Sequence, residues 1–179
     1  MKFTERYTID SRRYVLFIVL FAILLIGGTL SAQSMGDYRT KNNGWYFENA
    51  SIWQVFNGTS WVNASQAPQS PFNGKITISS GVGLFTPFEL NGSIEITASL
   101  QLFDGADLTV NSGARIDMGS IWLEQGSKMV NNGVINATSN KSEFSVKGNT
   151  TFVNNGLISS NNSPAKMNLT VLTNGNFST

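Results

Sequence analysis

The sequence predicts an all-β protein whose body is a right-handed parallel β-helix, or β-solenoid, of about 20 residues per coil. Three observations carry this prediction. A glycine turn recurs at that period, a second glycine series is offset from the first, and short apolar strands fill the intervals. A repeat of this length is typical of an array of stacked units that share one core.

The first series consists of Asn-Gly or Ser-Gly turns, whose glycines lie 18, 21, 20, 23 and 19 residues apart. Two copies are nearly identical, M-V-N-N-G-V-I-N at 129–136 and F-V-N-N-G-L-I-S at 152–159. Asn and Gly tolerate positive φ, and Asn side chains at equivalent corners can form a ladder along the axis. The predicted corner residues are Asn73, Gly74, Asn91, Gly92, Gly113, Asn132, Gly133, Asn155, Gly156, Asn174 and Gly175.

The strand after each turn has apolar residues at its second and fourth positions, as in Ile76 and Ile78. Alternate residues of a strand share one face, so these side chains are expected to face a common core. In the third coil Ile116 and Met118 fall one residue later, which predicts a bulge or a longer turn.

The second series consists of further glycines between the turns of the first, and apolar stretches lie between the two series. Together they predict about three strands of four or five residues in each coil of a solenoid over residues 73–179. A β-sandwich is the alternative, but it does not require one turn unit to recur at a fixed period. The glycines of the second series are Gly83, Gly105, Gly126 and Gly148.

Residues 1–32 are predicted to be a secretory signal peptide. Residues 1–13 carry a net charge of about +2, residues 14–26 are apolar and uncharged, and small and polar residues follow up to Ala32. That order is typical of an export signal, and the apolar run is short for a membrane span of about 20 residues. We therefore expect engagement with the export machinery, cleavage near Ala32 and a secreted or cell-surface location. An uncleaved membrane anchor is the alternative.

Residues 33–72 differ in composition from the coils, and Trp45, Trp53 and Trp61 lie eight residues apart within them. An uncovered first coil would expose an apolar end and an unpaired strand edge. The segment is therefore predicted to cap the solenoid. The other interpretation is a row of aromatic platforms that bind saccharides.

Composition argues against several kinds of chemistry. The chain has no His and no Cys, so the commonest general base and the thiolate metal ligands are missing. Residues 33–179 carry 8 basic and 9 acidic side chains, whereas nucleic-acid binding calls for a basic patch. We expect no catalytic residue, no metal site, no cofactor and no nucleic-acid partner. The best candidate for a catalytic group is Asp104, Asp107 and Asp117 with Arg115.

Residues 31 to about 82 contain S-A-Q, G-D-Y-R-T, W-Y-F-E-N-A-S-I-W, F-N-G-T-S-W and P-x5-G-K-I-T-I-S-S-G. This stretch resembles the start of large secreted surface proteins of the Bacteroidota, and it is more weakly similar to the opening of the G8 domain. The first resemblance implies an adhesin-like β-helical passenger that ends in a sorting domain for type IX secretion. No such domain is visible, so we expect the chain to be the N-terminal part of a longer protein.

Together these observations predict an exported structural or adhesin-like solenoid, a surface spacer or passenger without catalysis. Its expected partners are the export machinery, surface glycans and other cell-surface proteins. The alternative is a carbohydrate-binding or polysaccharide-cleaving β-helix module, with Trp45, Trp53 and Trp61 as the candidate sugar contacts.

Overall fold

A computed structural model describes residues 33–41, 45–139 and 141–160, and the backbone of residues 168–171 and 176–178. The predicted signal peptide over residues 1–32 and the predicted corner at Asn174 and Gly175 lie outside the described residues. Within the described residues, no helix is long and apolar enough to cross a membrane.

The described strands form three sheets, to which each coil contributes one strand apiece. Sheet A contains β1 (Tyr38–Thr40), β2 (Trp53–Phe56), β3 (Trp61–Asn63), β4 (Lys75–Ile78), β7 (Ser93–Ile96), β10 (Arg115–Met118), β13 (Val134–Ala137) and β16 (Leu157–Ser160). Sheet B contains β5 (Val82–Leu84), β8 (Ser99–Leu102), β11 (Ser120–Leu123), β14 (Glu143–Val146) and β17 (Asn168–Val171). Sheet C contains β6 (Phe88–Leu90), β9 (Asp107–Val110), β12 (Lys128–Asn131), β15 (Thr151–Asn154) and β18 (Asn176–Ser178). A single 3-10 turn, Ala50–Ile52, precedes β2.

Every described strand pair between successive coils is parallel. In sheet A, Ile76 pairs with Ile94, Ile94 with Ile116, Ile116 with Ile135, and Ile135 with Ile158. The architecture is a parallel β-solenoid of about four turns with about 21 residues per coil. The isoleucines after the turns, which were expected to face a common core, also stack in register. The strands of the coils are three or four residues long, shorter than the four or five residues predicted.

The core lies inside the coils and is built by alternation of inward and outward side chains, which is clearest in β4, β7 and β10. The inward side chains of β4, β7 and β10 are no more than 1% exposed, whereas their neighbours in sequence face outward. Burying one such aliphatic side chain contributes roughly 1.5–3 kcal/mol. Strands this short bury little alone, so the stability of each coil depends on its neighbours.

An asparagine ladder runs along the corner between sheets C and A, as predicted. Asn91 Nδ2 donates to Asn73 Oδ1 at 3.0 Å, Asn111 Nδ2 donates to Asn91 Oδ1 at 2.7 Å, and Asn155 Nδ2 donates to Asn132 Oδ1 at 2.9 Å. These bonds join Asn73, Asn91 and Asn111 in one run and Asn132 and Asn155 in a second.

The corner glycines are needed for a reason other than positive φ. Gly92, Gly133 and Gly156 are not among the described glycines with positive φ. Instead, a Cβ on any of the three would overlap a backbone carbonyl oxygen of the preceding coil, that of Gly74, Ala114 and Gly133 respectively. Glycine is required at these three corners because each packs backbone against the backbone of the preceding corner.

The third corner differs from the sequence-based alignment, and the predicted longer turn is found there. Arg115 pairs with Ser93 and with Val134, so Ala114, not Gly113, occupies the place of Gly92. Asn111 takes the asparagine position. Gly113 lies in the longer turn and has a φ of +85°.

The second glycine series needs two corrections. Gly105 and Gly126 have φ values of +87° and +83° at the corner between sheets B and C. In the next coil the equivalent residue is Asn149, with a φ of +57°, and not Gly148. Gly83 is not a corner residue at all, because it lies within β5 and pairs with Gln101.

We predict that Gly92→Ala destabilises the solenoid, because its methyl group would overlap the Gly74 carbonyl oxygen. The expected loss in the free energy of unfolding is about 1–3 kcal/mol, the range for overpacked sites. Urea unfolding followed by circular dichroism measures it.

The matched control is Gly81→Ala, since a Cβ on the exposed Gly81 meets only the Ser99 side-chain oxygen, at 3.3 Å. Equal urea midpoints for the two variants would show that the corners do not require glycine.

Candidate functional site

Residues 33–72 form backbone pairings with the strands that the first coil contributes to all three sheets. β1 pairs with β4 in sheet A, Tyr46 forms a bridge with Gly83 in sheet B, and Phe72 forms a bridge with Leu90 in sheet C. Beyond β1, strands β2 and β3 extend sheet A with antiparallel pairing.

The three predicted saccharide contacts do not form a row. Trp53 is completely buried, and its Nε1 donates to the Phe47 carbonyl oxygen at 2.7 Å. Trp61 is partly buried, with the Arg39 guanidinium 4.5 Å above its ring. Trp45 is 63% exposed. A saccharide cannot reach Trp53, so these tryptophans do not make a continuous platform.

A different set of rings stacks at the outer corner between sheets B and C. Tyr46 and Phe85 have ring centroids 5.1 Å apart, and Phe85 and Phe103 stack at 4.6 Å with an interplanar angle of 3°. We call these three residues the aromatic stack. Gly83 makes room for it, because a Cβ there would lie 2.7 Å from the Phe103 ring and 2.8 Å from the Trp45 carbonyl oxygen.

Beside the aromatic stack, the outer face of sheet B carries a groove centred on Trp122. Ile121 and Leu123 are completely buried, so alternation along β11 directs the partly buried Trp122 outward. Trp122 pairs in register with Gln101 in the preceding coil and with Ser145 in the following one. The Trp122 groove is lined by Gln101, Trp122, Glu124, Glu143, Ser145 and Lys147.

Charge in the Trp122 groove is largely compensated. Lys147 Nζ lies 2.7 Å from Oε1 of Glu124, which belongs to the preceding coil. Glu143 adds a second carboxylate to the lining. The groove therefore combines an aromatic ring with an amide, a hydroxyl, one ion pair and one further acidic group. Sequence analysis overlooked Trp122, although its place between two core residues was the signal that it faces outward.

The candidate catalytic carboxylates do not converge. Asp107 lies on sheet C, where its Oδ2 is 2.9 Å from Lys128 Nζ. Asp117 lies on sheet A, where Arg115 Nη2 is 2.6 Å from Asp117 Oδ1. Asp104 belongs to the corner between sheets B and C. Among the residues that the structure describes, no group of three acidic side chains could hold a metal ion.

Asp117 instead organises a polar network on sheet A. Its carboxylate accepts from Arg115 and, at 2.8 Å, from Asn136 Nδ2, and Ser159 Oγ donates to Asn136 Oδ1 at 3.1 Å. Partial burial opposes ionisation, but the hydrogen bonds from Arg115 and Asn136 outweigh it, so the pKa of Asp117 lies below its ordinary value. The same hydrogen bond raises the pKa of Arg115. The arrangement ties three coils together.

Comparison of the chain with protein-family models, with curated proteins and with solved structures finds no match.

We predict that Asp117→Asn lowers the stability of the protein at neutral pH and makes that stability less dependent on pH in the acid range. Because the pKa of Asp117 is lower in the folded state, its ionised form stabilises the fold above the unfolded pKa of about 3.9. That contribution is lost as the pH falls through the folded pKa. Thermal melting points measured between about pH 7 and about pH 2 should therefore fall less in the variant than in the wild type.

Glu89→Gln serves as the control, since Glu89 is an exposed strand residue on sheet C. Melting curves of Asp117→Asn that run parallel to the wild type over the whole pH range would contradict a stabilising role for the carboxylate.

Proposed function

We propose that this chain is an exported structural β-solenoid, a non-catalytic spacer or adhesin-like passenger at the cell surface. The observation that supports it best is the continuous parallel pairing of successive coils in all three sheets. Such pairing gives a stiff rod whose length grows by one strand spacing of about 4.8 Å per coil. Stiffness and additive length are the properties that a spacer needs.

The charged groups of the outer faces favour the same role. Ion pairs join adjacent coils between Lys75 and Glu95, between Lys128 and Asp107, and between Lys147 and Glu124. Carboxylates that are paired across coils are occupied in holding the array, whereas a glycoside-cleaving site needs two of them facing one bond.

Export and a surface location rest on the sequence. The basic, apolar and small segments within residues 1–32 favour a signal peptide. The likeness of residues 31 to about 82 to secreted surface proteins of the Bacteroidota supports a place among type IX secretion cargo.

Residues 33–72 are inferred to cap the first coil. They pair with its strands in sheets A, B and C, and Trp53, Phe47 and Tyr38 pack edge to face at that end. An open sheet edge is a template for pairing with another chain. A segment that pairs with all three edges therefore keeps the array from joining end to end.

Expression of the full chain with a C-terminal tag in a diderm bacterium tests export. We expect the tag in an exported fraction, on a protein whose N-terminal residue lies close to Gln33, and we expect no release of reducing sugar from polysaccharides. Retention in the cytoplasm with Met1 intact would contradict export, and sugar release would contradict a non-catalytic role.

We predict that Trp53→Ala destabilises the protein by about 3–5 kcal/mol, because it removes a completely buried ring and its hydrogen bond to Phe47. It should also increase self-association, which analytical ultracentrifugation detects. Trp45→Ala is the matched control and should leave the unfolding midpoint unchanged, since Trp45 is 63% exposed. Equal stability and equal association of the two variants would argue against the cap.

A further inference from the structure

We propose that the outer face of sheet B binds a neutral polysaccharide, with the Trp122 ring as the stacking platform. This inference is independent of export and of the cap, and it places sugar binding on a different surface from the tryptophans near the N-terminus. The observation behind it is the combination of an outward aromatic ring with polar side chains in one groove.

The position of Trp122 suits a platform. Its neighbours Ile121 and Leu123 are fixed in the core, and parallel partners on both sides hold β11 in the middle of sheet B. The ring is therefore carried by a rigid backbone. A site that is already organised loses little conformational entropy when a ligand binds.

The lining of the Trp122 groove fits the chemistry of a pyranose. One face of such a ring presents C–H groups that pack on an aromatic surface, while the hydroxyl groups at its rim need both donors and acceptors. Gln101 offers both, and the carboxylate of Glu143, which takes no part in the ion pair of Lys147 with Glu124, accepts. A protein partner would favour a larger apolar centre than one ring among polar groups.

The charge of the groove selects a neutral ligand. Lys147 is paired with Glu124 at 2.7 Å, which leaves the Glu143 carboxylate as the uncompensated charge of the lining. A uronate or a nucleic acid would bring negative charge beside it, and like charges at short range repel. Neutral glucans and xylans avoid this cost.

The aromatic stack extends the same surface toward the N-terminus, and this favours a polymer over a single sugar. Phe85 and Phe103 occupy equivalent positions in successive coils, in the column that Glu124 and Lys147 continue. Successive coils are about 4.8 Å apart, close to the length of one pyranose residue. A sugar chain that lies along the axis can therefore contact one coil per residue. Because the Phe85 and Phe103 rings stack face to face, it would meet their edges and stack on Trp122.

Affinity electrophoresis and calorimetry of the full chain with cello-oligosaccharides, xylo-oligosaccharides and oligogalacturonates test the proposal. We expect the wild type to bind at least one of the two neutral series. Trp122→Ala should weaken that binding by about tenfold or more, because the stacking surface is lost. Trp122→Tyr should restore most of it.

Trp61→Ala is the matched control, since Trp61 lies on β3 at the far edge of sheet A. Its affinity should equal that of the wild type, and circular dichroism of each variant checks that the fold is kept. The proposal is overturned if the wild type binds neither neutral series, if it prefers oligogalacturonates, or if Trp61→Ala weakens binding as much as Trp122→Ala does.

Discussion

The close approach of successive corners is the constraint on which the rest of the structure depends. At Gly92, Gly133 and Gly156 the backbone lies so near the carbonyl of the preceding coil that a Cβ would overlap it. This contact fixes the first residue of the sheet A strand that follows each glycine relative to the sheet A strand of the preceding coil. Because side chains alternate, a slip of one residue would turn the whole inward set toward solvent. Corner packing therefore decides which residues form the core.

Polar side chains reinforce that register from both sides of the corner. In the N-N-G turns the second asparagine joins the outer ladder, while the first one faces inward. Asn131 is completely buried at the position held by Val110 in the preceding coil, and it donates to Asn154 at 2.7 Å and accepts from Gly133 N at 3.1 Å. A buried amide is tolerated only when it is hydrogen-bonded. In the observed register Asn131 has both partners, so this buried amide helps to align one coil with the next.

The solenoid could be predicted because its period and its alternation are visible along the chain, as at Ile76 and Ile94. Neither requires knowledge of which residues are in contact between coils. The sequence could not predict where the coils depart from that regular period. The place of Ala114 in the third corner and the location of Gly83 inside a strand follow from pairing with adjacent coils. The even spacing of the tryptophans also did not predict which of them are buried, since Trp53 is buried and Trp45 is exposed. For the candidate site, the alternation around Trp122 held the signal, but its polar lining comes from three different coils.

The three outer faces differ in how they use this scaffold. Sheets A and C carry ion pairs such as Lys75 with Glu95 and Lys128 with Asp107, which link one coil to the next. Sheet B and its corner carry one such pair, Lys147 with Glu124, together with the stacked rings and the Trp122 groove. Outward side chains contribute little to the core, so a face can change its chemistry while the inward residues and the corners stay the same. A rod for presentation and a surface for sugar binding are therefore compatible in one chain, because the fold separates the residues that build it from those that meet a ligand.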